Sequence, residues 1–288
     1  RMGFPEGARA EPQGFAVVAL GKLGSQEMRF SSDLDLVFLY RGEGRTDQGR
    51  SHYEFYTRLG QTLGNLLTSQ TQFGRLYELD HRLRPFGTRS VLVPSLKAYE
   101  DFFSPEETGG AEIWNYQAFT RARFLCGEAA LARDLMDRVA HTWQARHLTP
   151  EAVATAVQTM MERLVTQSAP NLPPGEEPAL SLKFATGGLI GFEFLRQAHF
   201  LCARLTGPPL WEPPEPAPNL VEGLTDYESL GALDERLSFY IPRYGNRVRR
   251  SELERLAALR DRWHWDDVRR VWERMEARVI AGFQTLRG

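Results

Sequence analysis

Cysteine is almost missing from this sequence: Cys126 and Cys202 are the only two in 288 residues. Two are too few for a disulfide framework, and neither sits in a C-x-x-C or Cys/His ligand spacing, which excludes a zinc ribbon or a dithiol redox motif. A single bridge stays open, and a reducing compartment fits. Net charge is equally scarce. With 35 Lys+Arg against 37 Asp+Glu the balance is −2, which argues against broad adhesion to nucleic acid or acidic membranes and leaves room for a local basic pocket. Long apolar runs are absent too: residues 15–20 and 36–40 are the longest, far short of the roughly 20 residues a membrane span requires. The opening Arg-Met-Gly-Phe-Pro has none of the apolar core of a signal peptide. A chain that starts at Arg1 reads as trimmed or as part of a longer protein. Together these absences predict a soluble cytoplasmic protein. What remains is an ordinary globular composition, 42% hydrophobic and 25% charged, long enough for two domains or one large one.

Residues 1–14 are rich in Gly, Pro and charge and read as a loose lead-in. Phe15 to Leu20 and Leu34 to Tyr40 are short apolar runs with β-branched residues, each closed by a turn, and so predict a hairpin-like strand pair in a mixed sheet with a polar loop over Lys22–Ser32 between them. Phe55, Leu59, Leu63, Leu66 and Leu67 recur at helical spacing and predict a helix over 52–69. Residues 76–80 alternate apolar and polar side chains, the mark of a third strand. From about residue 95 the pattern turns helical. A stripe over 153–165 (Val153, Ala156, Val157, Met160, Met161, Leu164, Val165) marks a packed helix and makes its methionines core. Further helices are expected over 188–206 and 266–286, separated by Pro-rich connectors at 170–178 and 207–218. The expected organisation is an α+β domain over 1–125 with a small mixed sheet, followed by an all-α helical bundle over 126–288.

Chemistry concentrates in Gly21-Lys-Leu-Gly-Ser-Gln-Glu-Met-Arg-Phe-Ser-Ser-Asp33-Leu-Asp35. Asp33 and Asp35 are two apart at the head of an apolar strand, so both carboxylates leave one face. Two such charges repel and burial raises their pKa, unless a cation lies between them. Oxygen-only ligands favour a hard cation, Mg²⁺, over zinc. Gly24 and Ser25 offer backbone N–H groups and a hydroxyl to phosphate oxygens. Asp80, ending the third strand, is the candidate third carboxylate, and the set describes a nucleotidyltransferase metal site; a solvated strand edge is the plain alternative. Arg82 and Arg84 either clamp a triphosphate bidentately or form structural salt bridges. Lys22 is either a phosphate contact or a solvated loop lysine. His81 is expected on the opposite strand face from Asp80. Arg243, Arg247, Arg249 and Arg250, interleaved with Tyr240 and Tyr244, read as a solvated loop rather than an RNA contact. Trp263, Trp265 and Trp272 read as packing residues.

Four ordered blocks carry a resemblance: Ala19–Tyr40, Leu76–Gly87, Trp114–Arg123 and Lys183–Phe194. They are similar to the signatures of the glutamine synthetase adenylyltransferase (glutamate–ammonia-ligase adenylyltransferase) family, and span residues 15–197. The resemblance implies a polymerase-β-like nucleotidyltransferase domain with an attached helical bundle. It also implies transfer of AMP from ATP to a tyrosine of glutamine synthetase, or its removal by phosphorolysis, at a two-ion Mg²⁺ site. Carried over, Asp33, Asp35 and Asp80 match the metal-binding carboxylates and Gly24 and Ser25 the phosphate turn; Lys22, Arg82, Arg84, Lys183 and Glu193 are candidate nucleotide contacts. Implied partners are glutamine synthetase and a PII-type nitrogen signalling protein, with no membrane, and the near-neutral charge counts against nucleic acid. Two departures stand out: Ile190 and Gly191 replace a polar residue and an acid of the family pattern, and the chain holds one module where full-length members resemble two in tandem. Residues 76–80 and Trp114–Gln117 look more like the adenylylating half, Pro85-Phe86-Gly87 more like the removing half. The alternatives are a catalytically altered nucleotide-binding regulatory module and a nucleotidyltransferase with another acceptor.

Overall fold

A computed structural model describes residues 14–29, 32–72, 74, 77–87, 90–104, 110–168, 179–206, 217–240, 247–257 and 264–288. Among them no helix is long and apolar enough to cross a membrane. The loose lead-in apart from Gly14, both Pro-rich connectors apart from 217–218, Leu76, Arg243, Tyr244 and Trp263 lie outside the described residues.

The chain forms two compact units, the first made of residues 1–147 with 204–213 and the second of residues 148–203 with 214–288. In the first, β1 (Phe15–Ala19) pairs antiparallel with β2 (Leu34–Tyr40), Phe15 opposite Tyr40 and Ala19 opposite Leu36. This is the strand pair expected from the two apolar runs. All five residues of β1 are buried, and so are all of β2 except Asp35, which is why both runs are continuous rather than alternating. The polar segment between them is not loop throughout, since α1 (Gly21–Gly24) makes one helical turn. α2 (His52–Thr68) starts at a capping box in which Ser51 Oγ accepts from Glu54 N–H and the Glu54 carboxylate accepts from Ser51 N–H, both at 3.2 Å. Its Phe55, Leu59 and Leu63 pack on the sheet residues Phe15, Val17, Leu36 and Phe38. Leu66 and Leu67 are exposed, however, because the helix outruns the sheet it covers.

β3 (Leu79–Asp80) runs parallel to β2, shorter than the strand expected over 76–80. α3 (Leu96–Phe103) and α4 (Ile113–Phe119) follow. β4 (Arg123–Gly127) then completes a four-stranded mixed sheet of order β3-β2-β1-β4. The sequence pattern turned helical from 95 and missed β4. As an edge strand of five residues, with Phe124 and Cys126 exposed, it carries no buried-strand signature. α5 (Ala129–Ala145) packs against β1, so the first unit continues past the expected boundary at 125.

The second unit contains α6 (Pro150–Gln167), β5 (Ala179–Ser181), α7 (Leu189–Ala203), α8 (Pro218–Tyr240), β6 (Arg247–Arg249), α9 (Arg250–Ala257) and α10 (Trp265–Arg287). α10 packs on α6, α7 and α8, burying Val268, Met275, Val279 and Phe283. Of the two methionines expected in the core of α6, Met161 is buried and Met160 is half-buried. The unit is not all-helical: β5 and β6 pair antiparallel, Ala179 with Arg249 and Ser181 with Arg247. Three-residue strands that meet only across α7 and α8 leave no local periodicity to read.

Candidate functional site

The parallel register of β2 and β3 sets Leu34 opposite Leu79 and Asp35 opposite Asp80. Asp33 lies exposed just before β2 and Asp35 is half-buried. Burial pushes the Asp35 carboxyl up to about 6; repulsion by Asp80 and then Asp33 adds to this, while Arg82 and Arg121 oppose it. The three carboxylates expected to act together therefore feel one another. Asp80 behaves differently. Burial alone would raise it, but Arg82 donates Nε–H to Oδ1 and Oδ2 (3.0 and 2.8 Å), Nη2–H to Oδ2 (2.5 Å) and its backbone N–H to Oδ1 (2.8 Å), and these bonds hold Asp80 below the usual carboxylate range. The Arg82 side chain is 76% exposed, so little besides Asp80 fixes it. Arg121, nearly buried, faces Glu27 at 3.9 Å.

Behind Asp35 the backbone closes tightly. Gly21 has φ +50, and a Cβ there would lie 2.0 Å from Asp35 Oδ2. Glycine at 21 is thus what lets the chain cross the carboxylate face. Gly24 is required by packing, since a Cβ would meet the Arg121 carbonyl oxygen at 1.8 Å. Its N–H donates to Leu20 O (2.8 Å), Ser25 N–H donates to Gly21 O (3.2 Å), and the Ser25 hydroxyl donates to Gly21 O (3.2 Å). The donors expected to cradle phosphate are therefore engaged within the α1 turn. Arg123 caps that turn, donating to Gly24 O (3.0 Å) and Leu23 O (2.7 Å). Lys22 is half-buried in the same turn. Sequence reasoning assigned no site role to Gly21, Arg121 or Arg123, although all three lie inside the quoted blocks; Gly21 acts through Asp35 on the next strand, and the two arginines through contacts with a segment about a hundred residues away.

Arg84 turns back on its own loop, donating Nη1–H to the His81 carbonyl (3.2 Å). The His81 ring lies 5.1 Å from the Phe38 ring and its Nδ1 is 3.4 Å from Leu36 O, away from Asp80 as expected, with burial lowering its pKa. Lys183 and Glu193 belong to the second unit. There Lys183 Nζ sits 5.1 Å from the Phe184 ring centroid, and the buried Glu193 accepts from Tyr227 Oη–H at 2.8 Å. At Gly191 a Cβ would meet the Thr186 carbonyl oxygen at 1.9 Å, so the loop before α7 fills the place an acidic side chain would leave from.

Asp33, Asp35 and Asp80 are oxygen-only donors of the kind a hard cation takes. Among the described residues no set of three or more His, Cys, Asp or Glu side chains converges to hold a metal ion, and the cationic place beside Asp80 is filled by the Arg82 guanidinium. The donor chemistry suits Mg²⁺ once that guanidinium moves aside.

A mixed sheet whose inner strand begins in paired carboxylates, edged by arginines and followed by a largely helical unit, defines an α+β protein with an acidic site at a strand head. Residues 1–137 match the sequence model of glutamate-ammonia ligase adenylyltransferase. The bifunctional glutamine synthetase adenylyltransferase/adenylyl-removing enzyme of Thioalkalivibrio sulfidiphilus is 34% identical over 283 residues, covering 94% of this chain and 28% of that protein. Proteins of the same name from Alteromonas mediterranea and Neisseria meningitidis serogroup B are 35% and 37% identical, covering 68% and 67% of this chain and 19% and 20% of theirs. This chain belongs to the glutamate-ammonia ligase adenylyltransferase family, and it spans 28% or less of the length of these curated relatives.

Proposed function

We propose that this chain is a nucleotidyltransferase module that moves AMP between ATP and a tyrosine of glutamine synthetase, by transfer or by phosphorolytic removal, as a cytoplasmic step of nitrogen regulation. The observation that carries the reading is the Asp35–Asp80 pairing across β2 and β3, with Asp33 one step along the chain and Arg82 and Arg121 beside it. A mixed sheet with carboxylates at the head of an inner strand also favours a polymerase-β-like domain. In the transfer direction the tyrosine oxygen attacks the α-phosphorus of ATP, the bond to the β-phosphate oxygen breaks, pyrophosphate leaves, and the tyrosine proton passes to a base. In removal a phosphate oxygen attacks the tyrosyl-AMP phosphorus, ADP forms, and the tyrosine oxygen takes back a proton.

Asp33, Asp35 and Asp80 would hold two Mg²⁺ ions, which supply charge neutralisation at the attacking and leaving oxygens. Asp35, with its pKa near 6, holds its proton more readily than an ordinary carboxylate while no cation is near. Arg82, exposed and held at its guanidinium by Asp80, is placed to exchange Asp80 for phosphate oxygens. Arg121 keeps a fixed positive charge on the inner side. Gly21 holds the backbone close against Asp35 and limits the room for water. A PII-type nitrogen signalling protein is the second partner this reading implies, beside glutamine synthetase. A binding-only regulatory module is favoured by one observation, the closed position at Gly191.

Labelled AMP from ATP is expected to appear on purified glutamine synthetase, or to leave adenylylated synthetase when phosphate is added. Either reaction should stop on chelation and in Asp33→Ala and Asp35→Ala chains with unchanged circular dichroism. Unchanged turnover in either variant would overturn the assignment. Nucleotide binding with no reaction in either direction would select the regulatory module.

A further inference from the structure

Phe86 is the large apolar side chain left exposed in the turn 81–87 that follows Asp80, and its environment is unusual twice over. It is 51% exposed, and it sits at φ +55, where a bulky residue with a Cβ is strained. The next residue, Gly87, is also left-handed at φ +59. Relieving the first strain would take only a glycine, so the aromatic ring is held there at a cost to stability. Such cost accumulates where a side chain meets a ligand rather than the core. The turn is closed by Gly87 N–H donating to Arg84 O (2.9 Å), and a Cβ on Gly87 would lie 3.7 Å from the Arg82 carbonyl. The turn is therefore folded back on itself, and it brings Gly87, the chain neighbour of Phe86, near the backbone of the residue whose guanidinium grips Asp80. One edge of the contact is fixed: the Phe86 and Phe102 rings lie 5.1 Å apart at 72°, and Phe102 is buried. An edge-to-face contact with a buried ring sets the orientation of Phe86 and leaves much of its surface open.

We propose that Phe86 is the stacking platform for the adenine ring of the nucleotide whose phosphates meet Arg82 and the carboxylates. The inference rests on the nucleotidyltransferase reading and deepens it, since it assigns base recognition to a residue that touches neither metal nor phosphate. Stacking on a phenyl ring suits a flat purine base, and the placing of Arg82 and Phe86 on one folded-back turn suits a ligand carrying phosphate at one end and a base at the other.

Titration calorimetry with ATP and with inorganic tripolyphosphate, both with Mg²⁺, tests this on the whole chain and on Phe86→Gly and Phe86→Trp. Phe86→Gly relieves the backbone, so its melting temperature should equal or exceed that of the parent. ATP affinity should nevertheless fall about tenfold, within the range base–aromatic stacking supplies, with tripolyphosphate affinity unchanged. Phe86→Trp should retain ATP affinity. Unchanged ATP affinity in Phe86→Gly, or an equal loss for both ligands, overturns the platform while leaving the nucleotidyltransferase reading in place. Failure of the parent chain to bind either ligand overturns that reading, and the platform with it.

Discussion

Adding one methyl group at Gly21 puts a carbon 2.0 Å from Asp35 Oδ2 in a backbone already at φ +50. The carboxylate would have to turn away, and the Asp35 Cβ at 3.2 Å would have to give as well, on a strand paired with β1. Gly21→Ala is therefore expected to cost about 2 kcal/mol or more, the combined effect of left-handed strain and the clash, read by urea unfolding. A stability equal to the parent's would show that the loop has room the geometry denies it. Asp35 itself makes a prediction with a sign. Its carboxyl is raised to about 6, chiefly by burial and then by Asp80 and Asp33. Because the folded value lies above the unfolded one, the neutral form is favoured in the fold, and stability is lost as pH rises from about 4 through about 6. Asp35→Asn removes that loss. With chelator present it should gain about 1–2 kcal/mol at pH 8 after allowance for solvent screening, and the gain should vanish near pH 4. A gain that is independent of pH would mean that the charge on Asp35 costs the fold nothing.

At the scale of elements, legibility followed locality. β1, β2, α2, α6 and α10 were readable because each carries its burial pattern within its own residues, and in α2 a Ser51–Glu54 capping box also marks the start. β4 was not, because an edge strand with an alternation of half-exposed and exposed residues lacks the apolar run that betrays a buried one. β5 and β6 are three residues each and exist only through pairing with each other. The site divides the same way. The Asp33–Asp35 spacing and Asp80 at a strand end were visible as residue types in a pattern, and the parallel register that sets Asp35 opposite Asp80 is a tertiary fact that no local pattern carries. The phosphate-turn reading of Gly24 and Ser25 came from glycine's small size alone. The fold uses that smallness to admit the Arg121 carbonyl, and ties both N–H groups into α1. Arg84 likewise had the right charge and period, yet its donor turns to the His81 carbonyl.

For the whole molecule, the two units bury their polar groups for different ends. The first keeps its carboxylates at a strand head, two of them repelling a third. The second buries one, Glu193 on α7, against the hydroxyl of Tyr227 on α8, with the Tyr227 ring 5.4 Å from that of Phe192. A hydrogen bond to a buried charge is among the stronger kinds, because the charge has left water and the donor substitutes for it. Tyr227→Phe keeps the ring and its packing and removes only the hydroxyl. It should therefore cost about 1.5–3 kcal/mol, the range for hydrogen bonds to charged groups. The loss should be local, with faster amide exchange in α7 and α8 and unchanged protection in β1 and β2. Glu193→Gln, which keeps an acceptor and discards the charge, should cost less than Tyr227→Phe, because the neutral amide no longer carries the charge that makes the missing hydroxyl expensive. Were Glu193→Gln the more damaging of the two, the negative charge itself, and not its bond to Tyr227, would be what the helices are built around.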